Sequence, residues 1–343
     1  MGKSDRRTPV AVLGATGVVG QRIIQLLDGH PWFEVKELIA SDRSAGNRYE
    51  DATVWVCSED MPAPVSDITL KNPGAALDSP IVFSAVSSDV ARQLEPNYAK
   101  AGHRVVSNAS AFRGDPSVPL LVPEVNASAI EEVTAQEWSQ QGGGLVTNPN
   151  CSVVGLVLAL YPIHLEYEIE SVTVVTLQAI SGAGLPGIPA MEIAGNVIPH
   201  IPREAEKIST EPQKILGSSF PISVAVHRVP VVDGHTLAVF LKTRKSATTG
   251  DMARALAEFA PVTEVASLPS APSRPIVVVD RADRPQPRLD ATRANGMAVT
   301  VGHVFEDPSF DARFGVVVHN TIRGAAGAAM LNAELWERSV GGR

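Results

Sequence analysis

Cysteine is nearly absent from this chain, with two among 343 residues, Cys57 and Cys151. Two thiols make no disulfide framework, and no Cys/His cluster has the spacing of a zinc site, so neither cross-links nor a metal are expected. Basic charge is in deficit as well. The formal net charge is −8 at pH 7, and no Lys/Arg run supplies the concentrated positive face that a phosphate backbone demands, which excludes a nucleic-acid partner. An anionic ligand must then be met by local groups. No stretch reaches the ~18 consecutive apolar residues of a membrane span, and the apolar run after Thr8 is too short and too Gly-rich for a signal peptide. These absences point to a soluble protein with no membrane partner, kept in a reducing cytoplasm.

What is present is length and apolar content. A chain of 343 residues that is 44% hydrophobic exceeds one ordinary domain of ~100–200 residues and can fill a sizeable core. From Pro9 the order is apolar run, glycine turn, helix: Val10 to Leu13, Gly14 to Gly20, then an amphipathic stretch to Leu27. Further strands are expected at Val35 to Ala40, Ile81 to Val86 and Arg104 to Ser107, with a helix over Asp89 to Ala101. Strands alternating with helices predict a doubly wound parallel sheet. Glu131 to Gly144 reads as a helix and a loop, and the boundary falls after Pro149. Beyond it, longer alternating runs at Ser171 to Ala179, Ser223 to Val229, Thr236 to Thr243 and Met297 to Phe305 predict an antiparallel or mixed sheet in an α+β domain. Asp233-Gly234 is a tight-hairpin signal. The organisation expected is 1–149 for a cofactor domain, 150–321 for a second domain and 322–343 for a closing helix that packs back on the first.

Gly14, Gly17 and Gly20 follow a strand and open a helix, where backbone N–H groups and the helix dipole can hold a pyrophosphate. The plain alternative is a tight turn. The end of the second strand decides the cofactor's 2′ position, since a carboxylate there bonds a ribose hydroxyl and repels a phosphate. The residues are Ser41-Asp42-Arg43-Ser44. Ser41, Arg43 and Ser44 favour the 2′-phosphate of NADP, and Asp42 is the competing reader.

Cys151 stands between the turn Asn148-Pro149-Asn150 and the apolar run Val153 to Leu160, which reads as a buried helix. A helix's first N–H groups are unpaired and its dipole is positive there, so a cysteine at that position is biased toward the nucleophilic thiolate. An inert buried cysteine is the alternative. His235 opens the strand after Asp233-Gly234, and Arg228 lies on the strand before it, so the turn can bring both to one end of a hairpin. A histidine can relay protons for a thiol, and an arginine can grip a carboxylate in a bidentate fork. Gln178 and the small-residue loop Ser181-Gly182-Ala183-Gly184 suit the close approach of a flat ring such as a nicotinamide. Glu204, Lys207, Glu211 and Lys214 recur at helical spacing, for which the default is a solvated face of paired charges.

Together these segments resemble the aspartate-β-semialdehyde dehydrogenase family, in particular its archaeal and fungal branch. The resemblance runs through Leu13-Gly14-Ala15-Thr16-Gly17, Ser107-Asn108-Ala109-Ser110, Val122-Pro123-Glu124-Val125-Asn126, Asn148-Pro149-Asn150-Cys151-Ser152, Ser181-Gly182-Ala183-Gly184, Asp233-Gly234-His235 and His319-Asn320-Thr321-Ile322-Arg323-Gly324-Ala325-Ala326-Gly327. It implies a Rossmann-like cofactor domain and a catalytic and dimerisation domain, assembled as a homodimer or homotetramer.

The same resemblance implies roles. Cys151 matches the nucleophile that forms a thioester, His235 its acid/base partner, and Gln178 and Asn150 residues beside the thioester. Glu204 and Arg228 match the grip on the amino-acid substrate, and Arg113 and Lys207 the grip on phosphate, which replaces the solvated-face reading for two of the four charges. Cofactor contacts are implied for Gly14, Ala15, Thr16, Gly17, Val18, Val19, Ser84, Ser87, Ser181, Gly182 and Asn320, with Ser41, Arg43 and Ser44 at the 2′-phosphate. The implied reaction is NADPH-dependent reduction of L-aspartyl 4-phosphate to L-aspartate 4-semialdehyde, on the route to lysine, threonine and methionine. Reduction of malonyl-coenzyme A or N-acetylglutamyl phosphate is the nearest alternative, and a cofactor-binding scaffold without turnover is a more distant one.

Overall fold

The computed structural model describes residues 7–341, which group into two compact units. The first comprises the chain up to Leu121 with Ser128–Asn148 and the segment from Ala326 onward. The second comprises Val122–Ala127 and Pro149–Ala325. The short turn Val122–Ala127, which the sequence boundary leaves in the first domain, is tied to the second unit by a buried ion pair, Glu124 Oε2 to Arg323 Nη2 at 2.7 Å.

In the first unit, β1 (Thr8–Leu13), β2 (Phe33–Ile39), β3 (Ile81–Ser84), β4 (Arg104–Ser107) and β5 (Gly144–Thr147) form one parallel sheet in the order β2-β1-β3-β4-β5. Central β1 and β3 read as nearly continuous apolar runs because both faces are covered, whereas edge strand β2 carries Glu34, Lys36 and Glu37. Ala11, Leu13, Val82, Val105 and Leu145 pack with Tyr98 and Ala99 of helix α2 (Ser88–Lys100). Helix α1 (Val18–Leu27) buries Ile23, Ile24 and Leu27. Strand order reverses between β1 and β3, so a ligand crevice is expected outside the carboxyl ends of these two strands. The C-terminal helix, Gly327–Gly341, belongs to this unit, where Glu334 bonds His30 Nε2 at 2.8 Å and Glu337 pairs with Arg104 at 2.7 Å. It starts later than the sequence suggests, because Ile322–Ala326 forms a π-helical turn first. Likewise Glu131 to Gly144 holds no α-helix but two 3₁₀ segments, Ala127–Ala135 and Ser139–Gln141. There the Gln136 side chain takes both the N–H and the C=O of Leu145, backbone groups of β5.

The second unit carries a mixed sheet of β6 (Ile169–Gln178), β7 (Ile222–Arg228), β8 (His235–Thr243), β9 (Ile276–Val278), β10 (Val299–Val301) and β11 (Ala312–Val318), in the order β7-β6-β8-β11-β10-β9. The expected hairpin across Asp233-Gly234 does not form. β6 lies between β7 and β8, parallel to the first and antiparallel to the second. The link Val229 to Gly234 instead crosses two interstrand steps, about 10 Å, and Val229 N–H bonds Gln178 O at 3.0 Å on the way. The crossing keeps the ends together: Arg228 is in register with Gln178, and Thr236 with Leu177. Met297 to Phe305 is regular strand only over Val299–Val301, although Gly302 N–H still bonds Gly315 O at 2.9 Å and Phe305 pairs with Arg313 as an isolated bridge.

Candidate active site

Cys151 is the first residue of helix α3 (Cys151–Tyr167), whose Ser152 to Leu160 are buried on every side, as an apolar helix within a domain core must be. Asn150 caps the helix by accepting the Ser152 N–H at 2.9 Å. The half-buried thiol therefore sits at the positive end of a seventeen-residue dipole.

His235 Nε2 lies 3.2 Å from Cys151 Sγ. Its other ring nitrogen, Nδ1, accepts the Ala179 main-chain N–H at 3.0 Å. A nitrogen that accepts cannot also carry the proton, so the neutral ring carries it on Nε2, facing the sulfur. The ring is wholly buried. Burial, aided by Arg228 and His319 and opposed by Glu204, pushes its pKa down to about 3. At neutral pH the site thus holds a neutral donor beside the thiol. Arg228 is buried too, with Nη1 on the Ala179 carbonyl at 2.8 Å. Burial lowers its pKa, against the support of Cys151 and Glu204.

Helix α4 (Glu204–Leu216) departs from the solvated-face expectation for Glu204 and also for Glu211. Its buried face is Glu204, Ile208, Glu211 and Ile215. Glu204 Oε2 accepts Asn150 Nδ2 at 2.8 Å and Gln178 Nε2 at 3.3 Å, while Oε1 accepts Lys207 Nζ at 2.8 Å. Burial pulls this carboxyl's pKa upward, but the Lys207 charge and these hydrogen bonds outweigh it and hold the group below its usual range. Cys151, His235, Gln178, Asn150, Arg228, Glu204 and Lys207 are thus joined in one unit by direct bonds or close approach. The sequence carried no sign that Glu211 belongs beside them, because its partner, the Asn150 N–H at 2.6 Å, is 61 residues away.

Backbone closes the site where side chains cannot. A Cβ on Gly182 would stand 2.9 Å from Arg228 Nη1 and 3.1 Å from His235 Cε1. A Cβ on Gly324, in the π-helical turn, would stand 2.7 Å from Cys151 Cβ. Asn320 braces both loops: Oδ1 accepts the Gly234 N–H at 2.9 Å and Nδ2 donates to Ser181 Oγ at 2.8 Å.

In the first unit, the turn after β1 leaves no room for a side chain at Gly14 or Gly20. Gly14 has φ +85°, and a Cβ there would lie 2.7 Å from Ala85 O beyond β3; one on Gly20 would lie 2.2 Å from Gly14 O. Tyr49 Oη holds the Ala15 carbonyl at 2.9 Å and Gln21 the Thr16 carbonyl at 3.0 Å. Gly17 caps α1 with no side-chain bond, so the first N–H groups, beside Val18 and Val19, are available to an anion at the switch point. Ser41, Asp42 and Arg43 are all exposed just beyond β2, with Ser44 half-buried. Ser87 is exposed at the start of α2, whereas Ser84 is buried beside the Glu95 carboxyl. Arg113 donates to the Asn108 carbonyl at 2.8 Å.

Residues 9–133 match the family described as semialdehyde dehydrogenase, NAD binding domain, and residues 160–323 match semialdehyde dehydrogenase, dimerisation domain. An aspartate-semialdehyde dehydrogenase of Methanothermobacter thermautotrophicus is 47% identical over 95% of this chain and 98% of its own. The chain belongs to the aspartate-semialdehyde dehydrogenase family. Its fold superposes on the Candida albicans member solved with NADP, with a TM-score of 0.88 and 38% identity over 96% of this chain and 98% of that one. The corresponding values for aspartate semialdehyde dehydrogenase II of Vibrio cholerae are 0.81 and 29%, over 98% and 100%. Family relatives thus span archaeal, fungal and bacterial sources.

Proposed function

We propose that this protein is an NADPH-dependent aspartate-semialdehyde dehydrogenase that converts L-aspartyl 4-phosphate to L-aspartate 4-semialdehyde, supplying lysine, threonine and methionine synthesis. The observation that carries it is the 3.2 Å approach of Cys151 Sγ to His235 Nε2 within a cage of Glu204, Lys207 and Arg228. The Cys151 thiolate attacks the acyl phosphate; the C–S bond forms, the C–O bond to phosphate breaks, and a thioester results. Lys207 holds the departing phosphate, while Arg228 and Glu204 read the α-carboxylate and α-ammonium. Gly14, Gly17, Ser41, Arg43 and Ser44 of the first unit would hold NADPH, whose chemistry when bound would be hydride supply to the thioester carbonyl; in the second unit the small-residue loop of Ser181 and Gly182 suits a flat ring. His235 Nε2–H stabilises the oxygen charge at the tetrahedral carbon, and collapse returns the thiolate and frees the aldehyde.

The glycine-only turn at Gly14 and Gly20 supports a dinucleotide, and Arg43 with Ser41 and Ser44 supports the 2′-phosphate form. Identities of 47% and 38% to the archaeal and fungal relatives, against 29% to the Vibrio enzyme, support placement in the archaeal and fungal branch. The matched dimerisation domain supports a homodimer or homotetramer through the second unit, and two cysteines outside any disulfide suit a reducing cytoplasm. The test is phosphate-dependent NADPH formation from L-aspartate 4-semialdehyde. No turnover with this substrate, but reduction of malonyl-coenzyme A or N-acetylglutamyl phosphate, would keep the thioester chemistry and overturn the substrate.

A further inference from the structure

Glu211 has no part in the chemistry above, yet it is bonded to the residue that precedes the nucleophile. Its Oε2 accepts the Asn150 main-chain N–H at 2.6 Å, and the residue is 7% exposed. Placing a carboxylate so deep is costly unless it is hydrogen-bonded, and a bond from N–H to an ionised oxygen is among the stronger ones. The Asn150 side chain is already committed, with Oδ1 on the Ser152 N–H and Nδ2 on Glu204 Oε2. One residue is therefore gripped from two positions about two turns apart on α4: by its side chain through Glu204, and by its main chain through Glu211. Ile208, Pro212 and Ile215 supply the apolar packing of the helix beside it.

We propose that Glu211 is a positioning residue for the thiol: it fixes the main chain entering Cys151, so that Sγ is held opposite His235 Nε2. A side-chain grip alone lets the Asn150 main chain turn about its own Cα–Cβ bond. The second bond removes that freedom, and the α3 start cannot tilt without breaking it. The inference rests on Cys151 being the nucleophile.

Two variants separate length from charge. Glu211→Gln keeps an acceptor oxygen at the same reach without the charge, whereas Glu211→Asp keeps the charge on a shorter stem. The measurements are kcat and KM with semialdehyde and phosphate, and the rate of Cys151 alkylation by iodoacetamide followed by mass spectrometry. Alkylation needs no substrate, so it reports on the thiol even if the assigned reaction is wrong. A misplaced reacting atom can lower the rate about a hundredfold for 1 Å. Glu211→Asp should therefore lower kcat roughly tenfold to a hundredfold and slow alkylation, with little change in either KM. Glu211→Gln should stay close to wild type in both. Glu211→Asp matching wild type, or Glu211→Gln falling as far as Glu211→Asp, would overturn the proposal.

Discussion

Arg228 and His235 are fastened to the same residue: Ala179 gives its N–H to His235 Nδ1 at 3.0 Å and takes Arg228 Nη1 on its carbonyl at 2.8 Å. The buried guanidinium and the ring beside Cys151 thus share one stretch of main chain after β6. Arg228→Lys keeps a charge but loses the planar fork, so it should reduce kcat/KM for the semialdehyde and leave NADPH affinity unchanged. Lys207→Ala should instead raise the KM for phosphate in the oxidative direction. Steady-state kinetics in both substrates check the pair, and a silent Lys207→Ala would remove phosphate from the assignment.

The buried His235 ring makes stability depend on pH. Its folded pKa of about 3 lies below the ordinary value of 6.5, so below 6.5 the unfolded chain binds a proton that the folded one refuses. The contribution is fully present above 6.5 and is lost as the pH falls toward 3. Urea midpoints at pH 7.5 and 5 should fall more for wild type than for His235→Gln, which cannot titrate. Equal falls would mean that the ring is not held neutral.

Only one of the two thiols has a catalytic setting. Cys57 instead follows a stretch in which Val54 is 80% exposed and Val56 42%. Cys151→Ala should lower kcat by at least ~10³-fold, as expected for loss of a covalent nucleophile, and Cys57→Ala should leave it within a few-fold. Comparable losses in the two variants would count against the thioester.

Arg43 is exposed beyond β2, next to an equally exposed Asp42. A charge-assisted contact to phosphate is worth roughly 1.5–3 kcal/mol, so Arg43→Ala should shift the preference for NADPH over NADH by about tenfold to a hundredfold. Binding titrations with both cofactors check this. Wild type using NADH equally well would make Asp42 the reader of the ribose.

The first unit was legible in the sequence because its signals are local. Arg104–Ser107 forms the strand expected of it, and the glycine turn sits where strand meets helix. The second unit was less so, since its decisive contacts join distant segments. Asp233-Gly234 carries a hairpin signature, but a turn signature is blind to β6 sliding between the two strands it joins. Charges at helical spacing on α4 read as solvated because nothing near them announces the partner of Glu211. The Asn320 amide also braces Gly234 and Ser181, a role that no motif spells out.

The contact of Gly324 with Cys151 has a consequence for how the pocket can change. A wall made of side chains can be widened, narrowed or recharged by single substitutions, whereas a wall of main chain packed against the nucleophile offers nothing to exchange. The side chains open to exchange near the site are those such as Glu204, Lys207 and Arg228. Single substitutions can change these groups, whereas at Gly324 any added side chain meets the nucleophile's own Cβ.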